Sequence, residues 1–386
     1  MITRKPAHID TLRIAVAGGG TGGHVFPGIA VTDLLGRLVP SRIMWIGTGR
    51  QVEKNALQDR HIDYRVLKVH PIKGMEIPAL VKALFHLPLS ISRALSMLRD
   101  FRPHVVLGVG GYVSGPVLLA ARLLGIPSAI HEQNLLPGLA NRLSARFAAR
   151  IFISFDESRK YFKKDRGLIL TGNPVREDIL EAARSSTVRP GDRSDFHILI
   201  LGGSQGASSL NRLAGSAMKA LWHSGHSFSF LHQTGEGDAE NVRRFYQDAG
   251  VPARISPFIH DMGRAYMEAD LVVCRAGATT IAELTVTGRP AIFIPYPYAA
   301  EGHQELNARL MEDRGAGIFL KEAKTGAIKL SSHIETLMED RQKLAKMADK
   351  AKALGKPEAA QEIARNLMEL AGLPVNIRQG GAKRVI

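Results

Sequence analysis

The sequence contains a single cysteine, Cys274, among its 386 residues. This excludes an internal disulfide framework and favours a reducing compartment. The segment from Met1 to Thr11 has no apolar run of the kind a signal peptide needs. No stretch approaches the roughly 18 uninterrupted apolar residues of a transmembrane helix. We therefore expect a cytoplasmic protein.

Aromatic residues are also scarce, at 6%, although basic residues are in excess: 51 Lys and Arg against 36 Asp and Glu give a net charge of +15. A nucleic-acid-binding protein would combine clustered basic residues with aromatic residues that stack on bases. Here the basic residues are scattered, apart from Arg378, Lys383 and Arg384 near the C-terminus. We expect no nucleic-acid partner, and the charge favours an anionic membrane surface or a phosphorylated substrate.

A weak internal repeat indicates two domains of the same kind. RIAVAGGGTGGH (13–24) and HILILGGSQGAS (197–208) each read as an apolar strand, a glycine-rich turn and the start of a helix. This is the opening unit of a doubly wound α/β domain, whose turn faces the ligand. The polar stretch 185–195 separates the two halves. We predict an α/β protein with two Rossmann-like domains and a ligand cleft between them, at 11–184 and 196–355, followed by a helical segment at 356–373.

The alternation of strands and helices supports parallel sheets. The capping-box spacing of Ser332 and Glu335 predicts the start of a late helix, and a last helix is expected from Pro357 to Leu370. The predicted strands after the first are 42–47, 104–109, 127–131 and 150–154 in the first half, and 198–201, 228–232, 254–256, 270–274 and 291–294 in the second.

The first glycine turn satisfies the G-x-G-x-x-G pattern through Gly18, Gly20 and Gly23. A dinucleotide-binding domain also needs an acidic residue at the end of the second strand. That strand ends instead in Gly47-Thr48-Gly49-Arg50. An NADP enzyme, with Arg50 on the 2′-phosphate, stays an alternative, as does a purely structural role for one or two of the glycines.

His24 follows this turn at the start of the predicted helix. A helix N-terminus disfavours the imidazolium form, so the ring should be neutral near pH 7 and able to accept a proton. The alternative interpretation is a structural histidine that bonds to a backbone carbonyl.

A second constellation, CRAGATTIAEL (274–284), brings an apolar strand to another helix start. The N–H groups of Ala278, Thr279 and Thr280 at that start suit a pyrophosphate. Glu283, one turn later, is placed to accept hydrogen bonds from ribose hydroxyls, although an acidic residue in a first turn often serves only the helix dipole.

The segment IFIPYPYAAEGHQELNA (292–308) adds polar residues after the next strand. Gln304 and Asn307 are neutral amides able to read sugar hydroxyls. Pyrophosphate, ribose and hexose contacts therefore follow in chain order, which predicts a nucleotide-sugar site.

These motifs resemble those of glycosyltransferase family 28, in particular its peptidoglycan-synthesis branch, over nearly the whole chain from about Arg13 to Leu373. The motifs that carry the resemblance are GGGTGGHVFPGIA (18–30), GVGGYVSGP (108–116), HEQNLLPGLAN (131–141), TGNPVR (171–176), GGSQGA (202–207), PFIHDM (257–262), AGATTIAEL (276–284) and HQELNA (303–308).

The resemblance implies a GT-B fold and inverting transfer of N-acetylglucosamine from UDP-GlcNAc to the C4 hydroxyl of the muramyl sugar in undecaprenyl-pyrophosphoryl-MurNAc-pentapeptide. It implies no required metal or cofactor, and no DxD-like metal motif accompanies the predicted cradle. It also implies a peripheral enzyme on the cytoplasmic face of the bacterial membrane, with an acceptor-handling first domain, a UDP-sugar-binding second domain and possible partners in a wall-synthesis complex.

Site residues carried over by motif fall into three groups. The catalytic candidates are His24, as general base, and Glu132, as competitor or helper. The acceptor candidates are Tyr112 and Asn141. The UDP-GlcNAc candidates are Thr21, Gly22, Gly23, Asn134, Arg176, Ser204, Ile259, Ala278, Thr279, Thr280, Ile281, Ala282, Glu283 and Gln304.

Because a lipid-linked acceptor stays in the bilayer, the enzyme must dock on the membrane. The segment 77–89 places Ile77, Leu80, Val81, Leu84 and Phe85 at helical spacing with basic residues nearby. Such an apolar stripe suits an anionic interface, although it equally suits a helix packed on its own sheet. Rival functions are a related GT-B enzyme with another lipid acceptor, a UDP-sugar 2-epimerase, and a non-catalytic UDP-sugar sensor or scaffold.

Overall fold

The computed structural model describes residues 9–69, 77–163, 167–202 and 207–374, with residues 77–86 described as helical backbone only. The chain divides into two compact units. The first comprises the described residues up to Arg176 together with those from Glu358 onwards, and the second runs from Glu177 to Pro357.

The strands supply one parallel sheet to each unit. In chain order they are β1 (Leu12–Gly18), β2 (Ser41–Gly47), β3 (Ile62–Val66), β4 (Val105–Gly110), β5 (Ser128–Glu132), β6 (Arg150–Ile153), β7 (Leu168–Leu170), β8 (Phe196–Leu201), β9 (Phe228–Gln233), β10 (Arg254–Ser256), β11 (Leu271–Cys274), β12 (Ala291–Phe293) and β13 (Gly317–Phe319).

Helices cover both faces of these sheets. In chain order they are α1 (Gly22–Leu38), α2 (Gln51–Leu57), α3 (Ile77–Phe101), α4 (Ser114–Leu123), α5 (Leu139–Ser144), α6 (Glu177–Ser185), α7 (Ser208–His223), α8 (Ala239–Asp248), α9 (Met262–Glu268), α10 (Ala278–Thr287), α11 (His303–Asp313), α12 (Ala327–Glu339), α13 (Arg341–Leu354) and α14 (Ala359–Leu370).

The two sheets share one topology. The first has the order β3-β2-β1-β4-β5-β6-β7 and the second has β10-β9-β8-β11-β12-β13. In each, the order reverses next to the opening strand, at β1–β4 and at β8–β11. Ligands of doubly wound sheets bind outside the carboxyl ends of the strands at this reversal. The first glycine-rich turn of the internal repeat, directly after β1, therefore stands where a ligand is expected.

The central strands are nearly continuous apolar runs because helices cover both of their faces. β4 is buried along its whole length, and β1 is buried except for Arg13. The two apolar clusters of the first unit lie on either side of its sheet, and one of them includes Ile363 and Leu367 of α14.

The last helix packs against α1, which explains why the chain returns to the first unit after Pro357. The first division falls at Arg176, earlier than the boundary at residue 184 that the sequence predicts, because α6 packs against α9 and α10 of the second unit. The capping box predicted at Ser332 and Glu335 is wrong, since α12 begins at Ala327 and both residues lie inside it. Among the described helices, none has the length and apolar character needed to cross a membrane.

Candidate functional site

The reversal point of the first sheet is built from two glycine turns in close contact. Gly20 has φ +93° after β1, and Gly110 and Gly111 have φ +101° and +80° at the end of β4. A Cβ on Gly111 would lie 2.6 Å from the carbonyl oxygen of Gly19. The Ser114 hydroxyl joins the turns by donating to the Ala17 carbonyl at 2.7 Å. A side chain at Gly111 would therefore push the two turns apart.

His24 lies in the first turn of α1 and its ring packs on the backbone of Gly110. A Cβ at Gly110 would stand 2.5 Å from His24 Nδ1. This same nitrogen lies 3.2 Å from Oε1 of Gln133. The ring is therefore held by the end of β4 on one side and by the segment after β5 on the other.

Gln133 is buried, and both polar atoms of its side-chain amide have hydrogen-bonding partners. Its Nε2 donates to the Val109 carbonyl at 2.8 Å and lies 3.1 Å from Nδ1 of His131. Nε2 of His131 lies 3.2 Å from the Gly172 carbonyl. Burial lowers the pKa of His131 to about 4, with a further lowering from the nearby His24. Neither Gln133 nor His131 was predicted from the sequence to have a role in the site.

Glu53 on α2 is a buried carboxylate that was not predicted from the sequence to belong to the site. It accepts hydrogen bonds from the Gly20 N–H at 2.7 Å, the Thr48 N–H at 2.7 Å, the Gly49 N–H at 3.1 Å and the Tyr64 hydroxyl at 2.7 Å, as well as from the Thr48 hydroxyl. Burial alone would raise the pKa of Glu53, but these hydrogen bonds outweigh burial and lower it. An ionised carboxylate therefore lies beneath the first glycine turn.

This carboxylate also bears on the dinucleotide alternative. A pyrophosphate bound at the first turn would have to share its backbone N–H groups with the Glu53 anion, and like charges in a buried setting repel strongly. Both oxygens of Glu53 are taken up by the turn and by Tyr64, so it differs from an acidic residue that presents oxygens to a ribose. Its position in the first turn of α2, after Thr48-Gly49-Arg50, was the available signal.

Glu132, the second catalytic candidate, is 1% exposed at the end of β5. Its oxygens accept from the Asn134 N–H at 2.9 Å, the Gly138 N–H at 3.0 Å and the Asn141 Nδ2 at 2.8 Å. Burial raises the pKa of Glu132, and these hydrogen bonds offset only part of the rise. The carboxylate therefore organises the 133–141 segment from inside.

Asn141, an acceptor candidate, belongs to the same internal arrangement. It is buried, and its Nδ2 is committed to Glu132 and to the His131 carbonyl. Tyr112, the other acceptor candidate, is 48% exposed directly after β4. The structure thus leaves Tyr112 accessible to a ligand and gives Asn141 a structural contact.

The first-unit candidates for the donor lie around the start of α1. Thr21 is the N-cap of this helix without a side-chain cap bond, and Thr21 and Gly23 are exposed. The Arg176 guanidinium lies 5.3 Å from the ring centre of Phe26, one turn into α1. Asn134 is half-buried next to Glu132. These residues share one end of the first sheet with His24.

The second unit presents its own helix start at the reversal point. α10 follows β11, with Gly277 as an extended N-cap that forms no side-chain cap bond, and its first turn holds no acidic residue. The N–H groups of Ala278, Thr279 and Thr280 precede the first intrahelical bond, which Ile281 donates to Gly277 at 3.0 Å. The geometry fits the predicted pyrophosphate cradle.

Arg275, directly before this helix, is a structural cation. It donates to the Ile294 carbonyl at 2.9 Å, to Glu322 at 2.6 Å and to the Ser209 hydroxyl at 3.0 Å. Burial would raise the pKa of Glu322, but the hydrogen bonds from Arg275 and Ser209 lower it. Arg275 therefore links the segment after β12 to α7 through hydrogen bonds.

Glu283 faces the interior at 8% exposure and accepts a hydrogen bond from the Tyr266 hydroxyl at 2.8 Å through Oε2. Tyr266 orients the carboxylate. Of its neighbours in α10, Ile281 is buried and Ala282 is half-buried. Ile259 is nearly buried, and its N–H donates to Gln233 Oε1 at 3.1 Å.

The two amides of the 303–308 segment differ in role. Gln304 accepts from the Tyr296 N–H at 2.9 Å in an exposed setting. Asn307 is fully buried and donates to the Ala276 carbonyl at 3.2 Å, so it holds the turn before α10 instead of reading sugar hydroxyls as expected. Ser204 lies outside the described residues, as do the side chains of the predicted membrane stripe.

Within the described ranges, no group of three or more His, Cys, Asp and Glu side chains is placed to hold a metal ion.

Comparison with known proteins assigns both units. The N-terminal domain model of glycosyltransferase family 28 matches residues 14–153, and the C-terminal domain model of the same family matches residues 197–363. The chain belongs to glycosyltransferase family 28. Its fold is therefore GT-B, built from the two Rossmann-like units described above, and it is a glycosyltransferase.

Two relatives of this family 28 chain share one name, UDP-N-acetylglucosamine--N-acetylmuramyl-(pentapeptide) pyrophosphoryl-undecaprenol N-acetylglucosamine transferase. The protein from Myxococcus xanthus is 41% identical over 360 residues, covering 93% of each chain. The protein from Geobacter metallireducens is 42% identical over 358 residues, covering 92% of this chain and 98% of its own.

Solved structures agree with this assignment. The crystal structure of Acinetobacter baumannii MurG superposes with a TM-score of 0.75 at 32% identity, covering 93% of this chain and 99% of that one. A UDP-N-acetylglucosamine 2-epimerase superposes with a TM-score of 0.67 at 15% identity, covering 98% of this chain and 100% of that one. This second likeness shows the fold alone, so the epimerase alternative is not favoured.

Proposed function

We propose that this enzyme transfers N-acetylglucosamine from UDP-GlcNAc to the C4 hydroxyl of the muramyl sugar in undecaprenyl-pyrophosphoryl-MurNAc-pentapeptide, with inversion at the anomeric carbon. The observation that carries the proposal is the shared name of relatives at 41–42% identity over more than nine-tenths of this chain. The reaction belongs to peptidoglycan synthesis.

His24 is the general base of this proposal. A single displacement requires a base that removes the proton of the C4 hydroxyl as that oxygen attacks the anomeric carbon. The new O4–C1 bond forms while the bond from C1 to the pyrophosphate oxygen breaks, and UDP departs with the electron pair. The ring of His24 is held on two sides at the reversal point of the first sheet.

Glu132 is a weaker candidate for the same role. Its oxygens are occupied by donors of its own loop, and it is buried. To act as base it would have to give up hydrogen bonds worth roughly 1.5–3 kcal/mol each. We assign Glu132 and Asn141 to the support of the acceptor half.

The donor is proposed to bind mainly in the second unit. The first turn of α10 (Ala278, Thr279, Thr280) stabilises the pyrophosphate and the negative charge on departing UDP without a cation. Glu283, oriented by Tyr266, takes the ribose hydroxyls, and Gln304 takes the sugar. Thr21 to Gly23, Asn134, Arg176, Ser204, Ile259, Ile281 and Ala282 complete the proposed donor contacts, and Tyr112 contacts the acceptor.

The decisive experiment compares two alanine variants. His24→Ala should retain UDP affinity, measured by calorimetry, and lose turnover by about a hundredfold to ten-thousandfold, because a general base acts only in the transition state. Glu132→Ala should lower the urea midpoint of unfolding, since it removes the acceptor of three hydrogen bonds, including the one from the buried Asn141. Turnover is followed as label passing from UDP-GlcNAc to the lipid phase.

A different result would make Glu132, and not His24, the general base. A Glu132→Gln variant that is stable but loses more turnover than His24→Ala would make Glu132 the base. If the wild-type protein binds UDP but never moves label into lipid, a sensor or scaffold role replaces the transferase role.

We also propose that the enzyme docks on the cytoplasmic face of the membrane through the stripe of Ile77, Leu80, Val81, Leu84 and Phe85 in the first part of α3. An apolar helix face flanked by lysines favours an anionic bilayer surface.

The docking proposal has a direct test. Replacing both Leu84 and Phe85 with Ser should release the protein from anionic vesicles in a sedimentation assay and leave UDP affinity intact. Ile328→Ser, at an 81% exposed position of α12, is the matched control and should leave sedimentation unchanged. Unchanged binding of the double variant would place the docking surface elsewhere.

A further inference from the structure

A chain of hydrogen bonds runs from two backbone carbonyls to the His24 ring. It starts at the carbonyls of Gly172 and Val109, passes through His131 and Gln133, and ends at Nδ1 of His24, with heavy-atom distances between 2.8 and 3.2 Å. All of its links lie in the first unit. Gln133 and His131 are each 1% exposed, so bulk solvent does not reach their side chains.

The direction of every bond follows from the two carbonyls, because a carbonyl oxygen can only accept. His131 must therefore carry its proton on Nε2, which faces Gly172, and its Nδ1 is an acceptor. Gln133 must turn its amide nitrogen toward Val109. The two hydrogens of that nitrogen then serve the Val109 carbonyl and His131 Nδ1, both within reach.

The remaining atom of the Gln133 amide, Oε1, faces His24 and can only accept. Nδ1 of His24 must then be the protonated nitrogen of the neutral ring. We infer that Gln133, held in place by His131, is a positioning residue that fixes His24 as the Nδ1–H tautomer and leaves the lone pair on Nε2. This inference rests on the proposed base role only for its catalytic meaning, since the tautomer itself is a property of the folded protein.

The tautomer matters because a base accepts the proton at its unprotonated nitrogen. A neutral imidazole free in water favours the Nε2–H form, in which Nε2 has no lone pair to offer. Gln133 reverses that preference. Its amide also cannot take up a proton, so the proton that Nε2 gains stays on the ring until it is lost to solvent.

Two features keep the arrangement constant. Burial lowers the pKa of His131 to about 4, so His131 stays neutral and keeps its donor and acceptor sides through the neutral pH range. Gly110, which lacks a side chain, lets the His24 ring approach the end of β4 closely, within reach of Gln133.

Nitrogen-15 NMR of the histidine side chains tests the inference directly. The two ring nitrogens of a neutral histidine have distinct shifts that reveal which one is protonated, and the His24 signals among the 14 histidines are identified by their loss in His24→Gln. We expect Nδ1–H in the wild-type protein. In Gln133→Met, which has similar volume but replaces the amide oxygen with a weakly accepting thioether, His24 should revert toward Nε2–H.

The matched control is His232→Leu. His232 is fully buried in the second unit and its two nitrogens are hydrogen-bonded to Tyr246 and Asn211, so its loss perturbs a core to a similar degree. The His24 spectrum should not change in this variant. An Nε2–H form of His24 in the wild-type protein overturns the inference, as does an Nδ1–H form that persists in folded Gln133→Met.

Kinetics provide the second readout. Gln133→Met should lower kcat by about ten- to a hundredfold, the effect that loss of an orienting partner has on metal-bound histidines, with UDP affinity unchanged. His131→Leu should behave in the same way, and His131→Gln, which keeps one donor and one acceptor, should recover part of the loss. If His24→Ala retains full turnover while the wild-type ring is Nδ1–H, the base role fails and the tautomer assignment stands.

Discussion

The buried carboxylate of Glu53 offers the sharpest test of how the first glycine turn is held. Glu53→Gln replaces one oxygen with a nitrogen that can only donate. If the nitrogen takes the place of Oε2, it faces the N–H groups of Thr48 and Gly49 and the Tyr64 hydroxyl. If it takes the place of Oε1, it faces the Gly20 N–H and the Thr48 hydroxyl, which can rotate. The second arrangement loses less, so the bond to Gly20 is the one that should break.

The loss of folding stability in Glu53→Gln can be estimated from the hydrogen-bonding partners of Glu53. A hydrogen bond to a charged group contributes roughly 1.5–3 kcal/mol and one between neutral groups roughly 0.5–1.5 kcal/mol, while an unsatisfied buried donor costs roughly 1–3 kcal/mol. Losing the Gly20 bond and weakening the others should destabilise the first unit by about 2–4 kcal/mol. The Gly20 amide should also exchange its hydrogen faster, since its acceptor is gone.

Urea unfolding followed by tryptophan fluorescence measures this loss in the relevant unit. Trp45 packs in the first unit, where it donates to the Gly18 carbonyl at 2.9 Å, and the second tryptophan, Trp222, is in α7. A Trp222→Phe background therefore reports on the first unit alone. Glu240→Gln, which alters an exposed carboxylate paired with Arg243 and Arg244, is the control and should change little.

The contribution of Glu53 to folding stability should depend on pH in a definite direction. Because folding lowers the pKa of Glu53, its stabilisation is present above the range in which a free glutamate titrates, and it is lost as pH falls through the folded-state pKa. Glu53→Gln should remove this component, so the two proteins should converge in stability at low pH. An unchanged urea midpoint together with unchanged exchange at Gly20 would refute the idea that Glu53 holds the turn.

Two further substitutions test the site from either unit. Gly110→Ala places a Cβ 2.5 Å from His24 Nδ1, at a backbone φ of +101°. Because the His24 ring must then move, turnover should fall about a hundredfold, the loss expected for a displacement near 1 Å. A fully active variant would mean that the ring need not pack against Gly110. Glu283→Ala should weaken UDP binding by about 1.5–3 kcal/mol in calorimetry, and Tyr266→Phe, which removes only the orienting hydroxyl, should weaken it less. Unchanged affinity in Glu283→Ala would remove this residue from the donor site.

The sequence predicted the central strands well because their apolar runs are long and end at glycine turns. The strands it did not predict, β3, β7 and β13, are all edge strands of their sheets. β7 and β13 have three residues each, and β3 is at most half-buried, so none of them carries a strong apolar pattern. An edge strand forms because a neighbour offers a ladder of hydrogen bonds, and its own sequence records little of that.

In the candidate site, too, features formed by contiguous residues could be predicted from the sequence, whereas contacts between distant residues could not. The starts of α1 and α10 are visible in the sequence because glycines and the residues after them are contiguous. The partners that give the site residues their state are distant: Gln133 lies 109 positions from His24, and Glu53 lies 33 positions from Gly20. No spacing rule joins such pairs, so their roles emerge only from the fold.

The glycine turn before α1 and the start of α10 differ in their electrostatics, and the difference supports the proposal that the nucleotide binds in the second unit. In the first unit an ionised Glu53 takes the Gly20 N–H and leaves a fixed negative charge beneath the turn. That charge opposes a pyrophosphate but not a neutral sugar hydroxyl. In the second unit, the N-cap of α10, Gly277, forms no side-chain cap bond, and the first turn of this helix holds no acidic residue. Because the helix-end field acts over only about one turn, a single carboxylate at that distance is enough to decide the preference. We therefore propose that one buried side chain, Glu53, makes the first unit favour a neutral ligand where the second unit favours a charged one.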